Sequence, residues 1–232
     1  MLYIFISHYD DYSENVEKIK NIDRENVKKI YLEDYFVNPF KIEESDRIYI
    51  LTNATSVLPF VKQFGENYYV INKNYYMKNL NKFDIQKHLS NRNISVPTLL
   101  EFERINKRSF PIMCKSKKHA DFVIAIYTLG TFNSLFSKYN KNDFYLEQLV
   151  RINEEIKVYF VKDETYFYDG YHNEKLHKEI SDICKKISEI LTLDVFSIDV
   201  LVCNGKLFVI DINPAAGLFN SMSARKKLVE WI

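Results

Sequence analysis

Three oxygen-bearing side chains, Asp199, Asp211 and Asn213, interrupt otherwise apolar runs near the C-terminal end of the chain, in Ser197-Ile-Asp199-Val-Leu-Val-Cys-Asn204-Gly205-Lys-Leu-Phe-Val-Ile-Asp211-Ile-Asn213. Runs rich in Val, Ile, Leu and Phe on either side of Asn204-Gly205 predict a hairpin of two strands. Side chains alternate along a strand, so Asp211 and Asn213 share one face. Oxygen-only ligation suits a hard cation such as Mg²⁺, which takes a few carboxylates and fills its other positions with water and phosphate oxygens. Asp199 joins that face only under a condition. A plain two-residue turn at Asn204-Gly205 would put Asp199 and Asp211 on opposite faces. The expectation is therefore a bulged connection with Gly205 at φ > 0, bringing all three together. The competing account makes them solvent-facing residues of a half-exposed strand.

These residues need elements to carry them. Leu2 to Ser7 reads as a buried first strand, Ser13 to about Asn21 as a helix, and Val27–Leu32, Arg47–Leu51 and Tyr68–Ile71 as further strands. Strands alternating with short helical pieces predict a small, Rossmann-like α/β lobe over residues 1–78 with a mostly parallel sheet. Ligands in such sheets favour the carboxyl ends of strands, which makes Ser7, His8, Asp10, Thr52 and Asn53 candidate cleft residues, although loop polarity explains them equally well.

From Asn79 the texture changes. Asn81–Leu89 reads as a helix, and Ile94–Leu100, Phe110–Lys115 and Asp121–Tyr127 read as strands. Ser116-Lys117-Lys118-His119 is a cationic loop, Thr131–Lys138 a helix, and Phe144–Val150 leads into a hinge. Past it come strands Glu155–Val161 and Thr165–Tyr168, turned by Lys162-Asp163. Leu176, Ile180, Ile183, Ile187 and Ile190 recur at helical spacing, so one face of residues 174–191 packs on a sheet. Leu228, Val229 and Trp231 mark a short closing helix.

With 232 residues, 47% of them hydrophobic and 15% aromatic, the chain can bury a core as one large domain or two to three lobes. Thirty-two basic against 31 acidic residues leave a net charge of +1, so no global field argues for nucleic acid or an anionic membrane as partner. Cys114, Cys184 and Cys203 sit in apolar runs without metal-ligand spacing, as reduced thiols of a cytoplasmic protein would. Met1–Ile6 is too short for a signal peptide, and no apolar run has the length of a membrane span.

The order of elements from about Asn81 to Ile232 resembles the ATP-grasp superfamily, whose members clamp ATP between two α+β lobes. The likeness is closest to glutamate-adding and glutathione-synthetase-type ligases, through Leu193-Asp-Val, Asp199, Asp211-Ile-Asn213, Gly217-Leu218 and Trp231-Ile232. The resemblance implies an α+β (α/β) protein with a preceding lobe at 1–78, a central lobe at 79–146 and a C-terminal lobe at 147–232. It implies Lys82 and Lys115 as phosphate-contacting lysines, a solvated helix lysine being the alternative for Lys82. Glu147, Gln148, Leu149 and Val150 would meet adenine through the main chain, and Glu154 or Glu155 the ribose, with surface charge competing for both glutamates. Asp199, Asp211 and Asn213 would hold Mg²⁺, and Lys117 and His119 would belong to a flap over the phosphates.

The chain also departs from that pattern. The flap region Ser116–Ala120 contains no glycine, and no arginine lies between Arg151 and Arg225, where such ligases carry one that contacts the acyl phosphate. Tyr168-Asp169-Gly170 stands at that place, and the long loop that usually follows is replaced by Tyr171-His172-Asn173. Lys157 replaces the arginine commonly found after the hinge, a feature reminiscent of inositol-phosphate kinases. The resemblance thus implies a Mg²⁺-ATP-dependent ligase joining a small-molecule or peptide carboxylate to an amine, with Lys157, Lys117 and His119 as catalytic candidates. A kinase on the same fold and an ATP-binding protein without turnover are the alternatives.

Overall fold

The computed structural model describes every residue except 10–11, 53–56, 119–121, 172, 219 and 232. The apolar start forms strand β1 (Leu2–Ile6), buried at all five positions. Helix α1 (Ser13–Lys20) follows, with a Glu14–Lys18 ion pair one turn apart. Strand β2 (Val27–Tyr31) runs directly into helix α2 (Leu32–Val37), where the sequence reading saw only the end of a strand. Glu33 and Asp34 in its first turn complement the helix dipole. Strand β3 (Arg47–Ile50), helix α3 (Val57–Val61), strand β4 (Tyr69–Val70) and helix α4 (Lys73–Lys78) complete this segment. Helices α2, α3 and α4 are too short to display a 3.6-residue period, which is why the sequence did not announce them. Asn72 and Asn79 bracket α4 at φ 62° and 50°, a left-handed conformation that Asn tolerates better than most residues.

Helix α5 (Lys82–Ser90) is closed at its start by a capping box: the Asn81 side chain accepts from Asp84 N at 3.0 Å, and the Asp84 carboxylate accepts from Asn81 N. Strand β5 is reduced to Leu99–Leu100. The run expected from Ile94 is interrupted by Pro97, which has no ladder donor. Strand β6 (Ile112–Ser116), strand β7 (Val123–Ile126), helix α6 (Leu129–Phe136) and strand β8 (Phe144–Gln148) follow. Helix α6 starts before the expected Thr131 because the Thr128 hydroxyl caps the Thr131 amide at 3.1 Å.

Strands β9 (Glu154–Val161) and β10 (Glu164–Phe167) are turned by Lys162 and Asp163, both at positive φ. Helix α7 (His177–Leu191) buries Ile180, Cys184, Ile187 and Leu191, the stripe its periodicity predicts. Each fully buried aliphatic side chain there contributes about 1.5–3 kcal/mol. Strands β11 (Val195–Cys203) and β12 (Lys206–Asn213) form the hairpin, and helix α8 (Met222–Glu230) closes the described chain.

The first sheet has the order β2-β1-β3-β4 and is parallel throughout; the second is antiparallel, β5-β8-β6-β7; the third is β10-β9-β11-β12. The chain divides into two compact units, one of Met1–Asn79, Lys157–Ile198 and Ile212–Ile232, the other of Leu80–Ile156 and Asp199–Asp211. In the first unit β1, α1, the ends of β9 and β11, Ala215, Ala216 and α8 share one core. Buried Asn72 ties it together: its amide donates to the carbonyls of Val195 and Pro214 and accepts from the amides of Asp194 and Val195. In the second unit Ile112, Cys114, Ile126, Phe132, Phe144 and Leu146 form a separate core. The three cysteines are free, and no helix among the described residues is long and apolar enough to cross a membrane.

Candidate functional site

In the second unit, β6 and β8 pair with Met113 opposite Glu147 and Lys115 opposite Tyr145. Directly opposed residues project from the same face, so Lys115 and Glu147 are diagonal neighbours on one side of this sheet. Their side chains meet: Lys115 Nζ lies 2.7 Å from Glu147 Oε2 and donates to the Ile210 carbonyl at 3.0 Å. Glu147 is buried, and its Oε1 has no hydrogen-bond partner among the described residues. Burial pushes its carboxyl above the usual range, and the Lys115 charge only partly opposes this. Burial also raises the neighbouring Tyr145 hydroxyl.

Helix α5 supplies two more groups. Lys82, first residue of the helix, places Nζ 3.1 Å from Asp211 Oδ1, both side chains being half-buried. One turn on, Gln86 Nε2 donates to the Ile210 carbonyl at 3.2 Å, while its Oε1 has no partner among the described residues. The Lys82 amide donates to the Lys117 carbonyl at 3.1 Å, and the Lys117 amide to the Asp143 carbonyl at 2.9 Å. Lys117 is thus a tied extension of β6, its Nζ 5.3 Å above the Phe83 ring, rather than part of an open loop as expected. Lys118 is exposed. His119 lies outside the described residues, as do Asp10, Asn53 and His172.

The β11–β12 connection corrects the sequence reading. It is a plain two-residue turn, Asn204 at φ 48° and Gly205 at φ 75°, both positive as a hairpin turn of primed type requires. Gly205 has the expected sign, but the expected bulge in the connection is absent. Among the described residues β12 lies at the edge of its sheet, beside β11. Val209 N–H donates to the Ser95 carbonyl, away from β11. In a regular strand the next residue would then turn its N–H and C=O towards β11. The Ile210 carbonyl accepts from the side chains of Gln86 and Lys115.

Asp199 is half-buried on β11. Asn213 uses its own Oδ1 to accept the Ala215 amide at 3.0 Å. No three His, Cys, Asp or Glu side chains cluster as a metal cage among the described residues, although the candidate set holds only two such residues and an amide. Gln148 is exposed and its N–H bonds the Thr98 carbonyl; Leu149 and Val150, half-buried, lie between β8 and β9. On β9, Glu154 is half-buried, Glu155 exposed and Lys157 half-buried.

In the first unit, the carboxyl end of β1 is occupied by its own partners. The Ser7 hydroxyl donates to Glu33, His8 stacks on Tyr31 at 3.9 Å, and His8 Nε2 lies 3.0 Å from Asp34. Where ligases of the resembled type carry arginine, Asp169 accepts the Met222 amide at 3.2 Å and so helps to cap α8. Sequence reasoning missed Glu33, Asp34 and Gln86 as members of these clusters. For Gln86 a signal existed, since it stands four residues after Lys82 and hence on the same helix face.

No family model matches this sequence, and no curated protein matches it. Solved structures do. An ATP-grasp RimK domain protein from Sphaerobacter thermophilus superposes with TM-score 0.69 over 93% of this chain and 91% of its own, at 9% identity. The D-alanine--D-alanine ligase of Bacillus anthracis, complexed with ATP, superposes with TM-score 0.72 over 99% of this chain and 91% of its own, at 14% identity. The chain has the ATP-grasp fold. A third structure of that fold, the ligase PsnB complexed with a minimal precursor, Mg and ADP, gives TM-score 0.62 over 93% of this chain and 89% of its own, at 12% identity. At these identities the likeness is one of fold. Within the ATP-grasp fold, Lys82, Lys115, Glu147 and Asp211 are the predicted residues that the second unit brings into direct ion pairs.

Proposed function

We propose that this protein is a Mg²⁺-ATP-dependent, cytoplasmic ligase that joins a carboxylate to an amine through an acyl phosphate. The observation that supports it best is the pair of lysine–carboxylate contacts, Lys82–Asp211 and Lys115–Glu147, on the ATP-grasp fold. The residues fit a nucleotide. Two half-buried lysines offer compact positive charges for phosphate oxygens. A buried acceptor without a donor among the described residues, Glu147 Oε1, matches the amine of a nucleobase.

In this reading residues 1–78 are a preceding lobe, 79–146 the central lobe and 147–232 the C-terminal lobe. Asp199, Asp211 and Asn213 hold Mg²⁺, which when bound neutralises charge on the transferring phosphate. Gln148, Leu149 and Val150 flank adenine through the main chain, and Glu155 reaches the ribose. Lys117 and His119 cover the phosphates. Lys157 takes the part of the missing arginine as a point charge without the bidentate fork.

A kinase of a phosphorylated polyol is the second reading, supported by Lys157 and by the engagement of Asp169 with α8 at the place where the ligases carry arginine. Labelled ATP separates the two. For a ligase, ADP and inorganic phosphate accumulate only when candidate carboxylates and amines are supplied together. Label retained on a stable phosphorylated product, with no dependence on an amine, overturns the ligase in favour of the kinase. Metal-dependent ATP binding without turnover on either class overturns both.

A further inference from the structure

We infer that Gln86 is a positioning residue that aims Asp211 by holding the main chain of β12 through the Ile210 carbonyl. The inference rests on the reading above in one respect, the assignment of Asp211 as a metal ligand.

The peptide unit joining Ile210 to Asp211 is planar, so its carbonyl oxygen and the Asp211 N and Cα move as one rigid body. Whatever fixes that oxygen fixes the plane from which the Asp211 side chain departs. Two donors reach it, Gln86 Nε2 at 3.2 Å and Lys115 Nζ at 3.0 Å. A regular strand would turn this carbonyl towards β11, because the preceding N–H of Val209 points away to Ser95. Both donors come from outside the ladder, one from α5 and one from β6. Lys115 is shared, since the same ammonium pairs with Glu147 and, on the proposed function, serves a phosphate. Among the described residues Gln86 has no second partner to divide its hold.

Packing does not account for this residue. Gln86 is 2% exposed and faces inward with Ile85 and Leu89 on α5. A methionine of similar length would fill the space without burying an unsatisfied Oε1. The bond to Ile210 supplies direction instead, placing Asp211 where Lys82 meets it at 3.1 Å. Supporting groups of this kind orient metal ligands without touching the metal.

The test compares wild type with Gln86→Met and Gln86→His, using Mn²⁺ in place of Mg²⁺ and following free Mn²⁺ by electron paramagnetic resonance with ADP at saturation. Calorimetry of ADP binding in EDTA and a thermal melt accompany it. Gln86→Met should weaken Mn²⁺ about tenfold, with metal-free ADP affinity and Tm unchanged. Gln86→His, whose ring N–H can replace the amide N–H at pH 8, should stay within about threefold of wild type. Gln86→Leu must behave as Gln86→Met does and decides the matter should the latter fail to fold. Wild-type Mn²⁺ affinity in the apolar variants overturns the inference. So does an equal loss of Mn²⁺ and metal-free ADP binding, which would mark general loosening. Wild-type protein that binds ADP with no Mn²⁺ dependence overturns the metal-site reading itself, a result visible before any variant is made.

Discussion

Lys115→Met keeps the length of a side chain and deletes its charge, stranding the carboxylate of Glu147. At 2.7 Å the intact pair gains about 6 kcal/mol of Coulomb attraction at an effective dielectric constant near 20. Desolvating the two ions costs several kcal/mol each, which offsets most of that gain. Removing one partner leaves the cost without the gain, because Glu147 is 1% exposed and its Oε1 already lacks a partner among the described residues. The expected loss is about 3–5 kcal/mol at pH 8. Glu147 can relieve it by taking up a proton. Burial already holds this carboxyl above its ordinary range, and losing Lys115 raises it further. A carboxyl raised in the folded state favours folding below its unfolded value, and that contribution is lost as pH rises through the folded value. The deficit of Lys115→Met should therefore shrink from pH 8 towards pH 5, by at most about 1.4 kcal/mol per pH unit. Adding Glu147→Gln should recover most of the loss at pH 8. Urea unfolding followed by circular dichroism at pH 5, 6.5 and 8 reads wild type and both variants. Wild-type stability of Lys115→Met at pH 8, or a deficit independent of pH, refutes the reasoning.

Asp211→Asn should abolish metal-dependent turnover while the far-ultraviolet spectrum persists, since one ligand carboxylate is lost without a change of volume; near-normal activity ends its assignment. Lys117→Ala with Lys118→Ala should raise the KM for ATP several-fold, and the contact of Lys117 with Phe83 adds a stability loss of about 0.5–1 kcal/mol, read by a thermal melt. Lys157→Met should lower kcat more than ATP affinity, which initial rates and equilibrium binding together decide.

The long elements were legible because their patterns are long. The 3.6-residue stripe on α7 and the paired apolar runs around Asn204-Gly205 appear where expected. Helices α2, α3 and α4 were not, since five or six residues carry no periodicity and tertiary burial decides them. Strand parity set a condition on β12 that the turn does not meet: an extra residue was expected there, and the turn has two. Lys82 and Lys115 could be singled out as cations at element ends. Their pairing with Asp211 and Glu147 could not, because it depends on which side chains converge after folding.

Asn72 also sets a schedule for synthesis. Its amide bonds Pro214, a partner 142 residues further along the chain. At translation rates of about 5–20 residues per second that partner emerges roughly 7–28 s later. Until then β1, β3 and the Asn72 amide lack the part of their core that β9, β11 and α8 provide. The nascent amino-terminal segment therefore leaves the ribosome with apolar surface uncovered, a state suited to chaperones that bind early and release late.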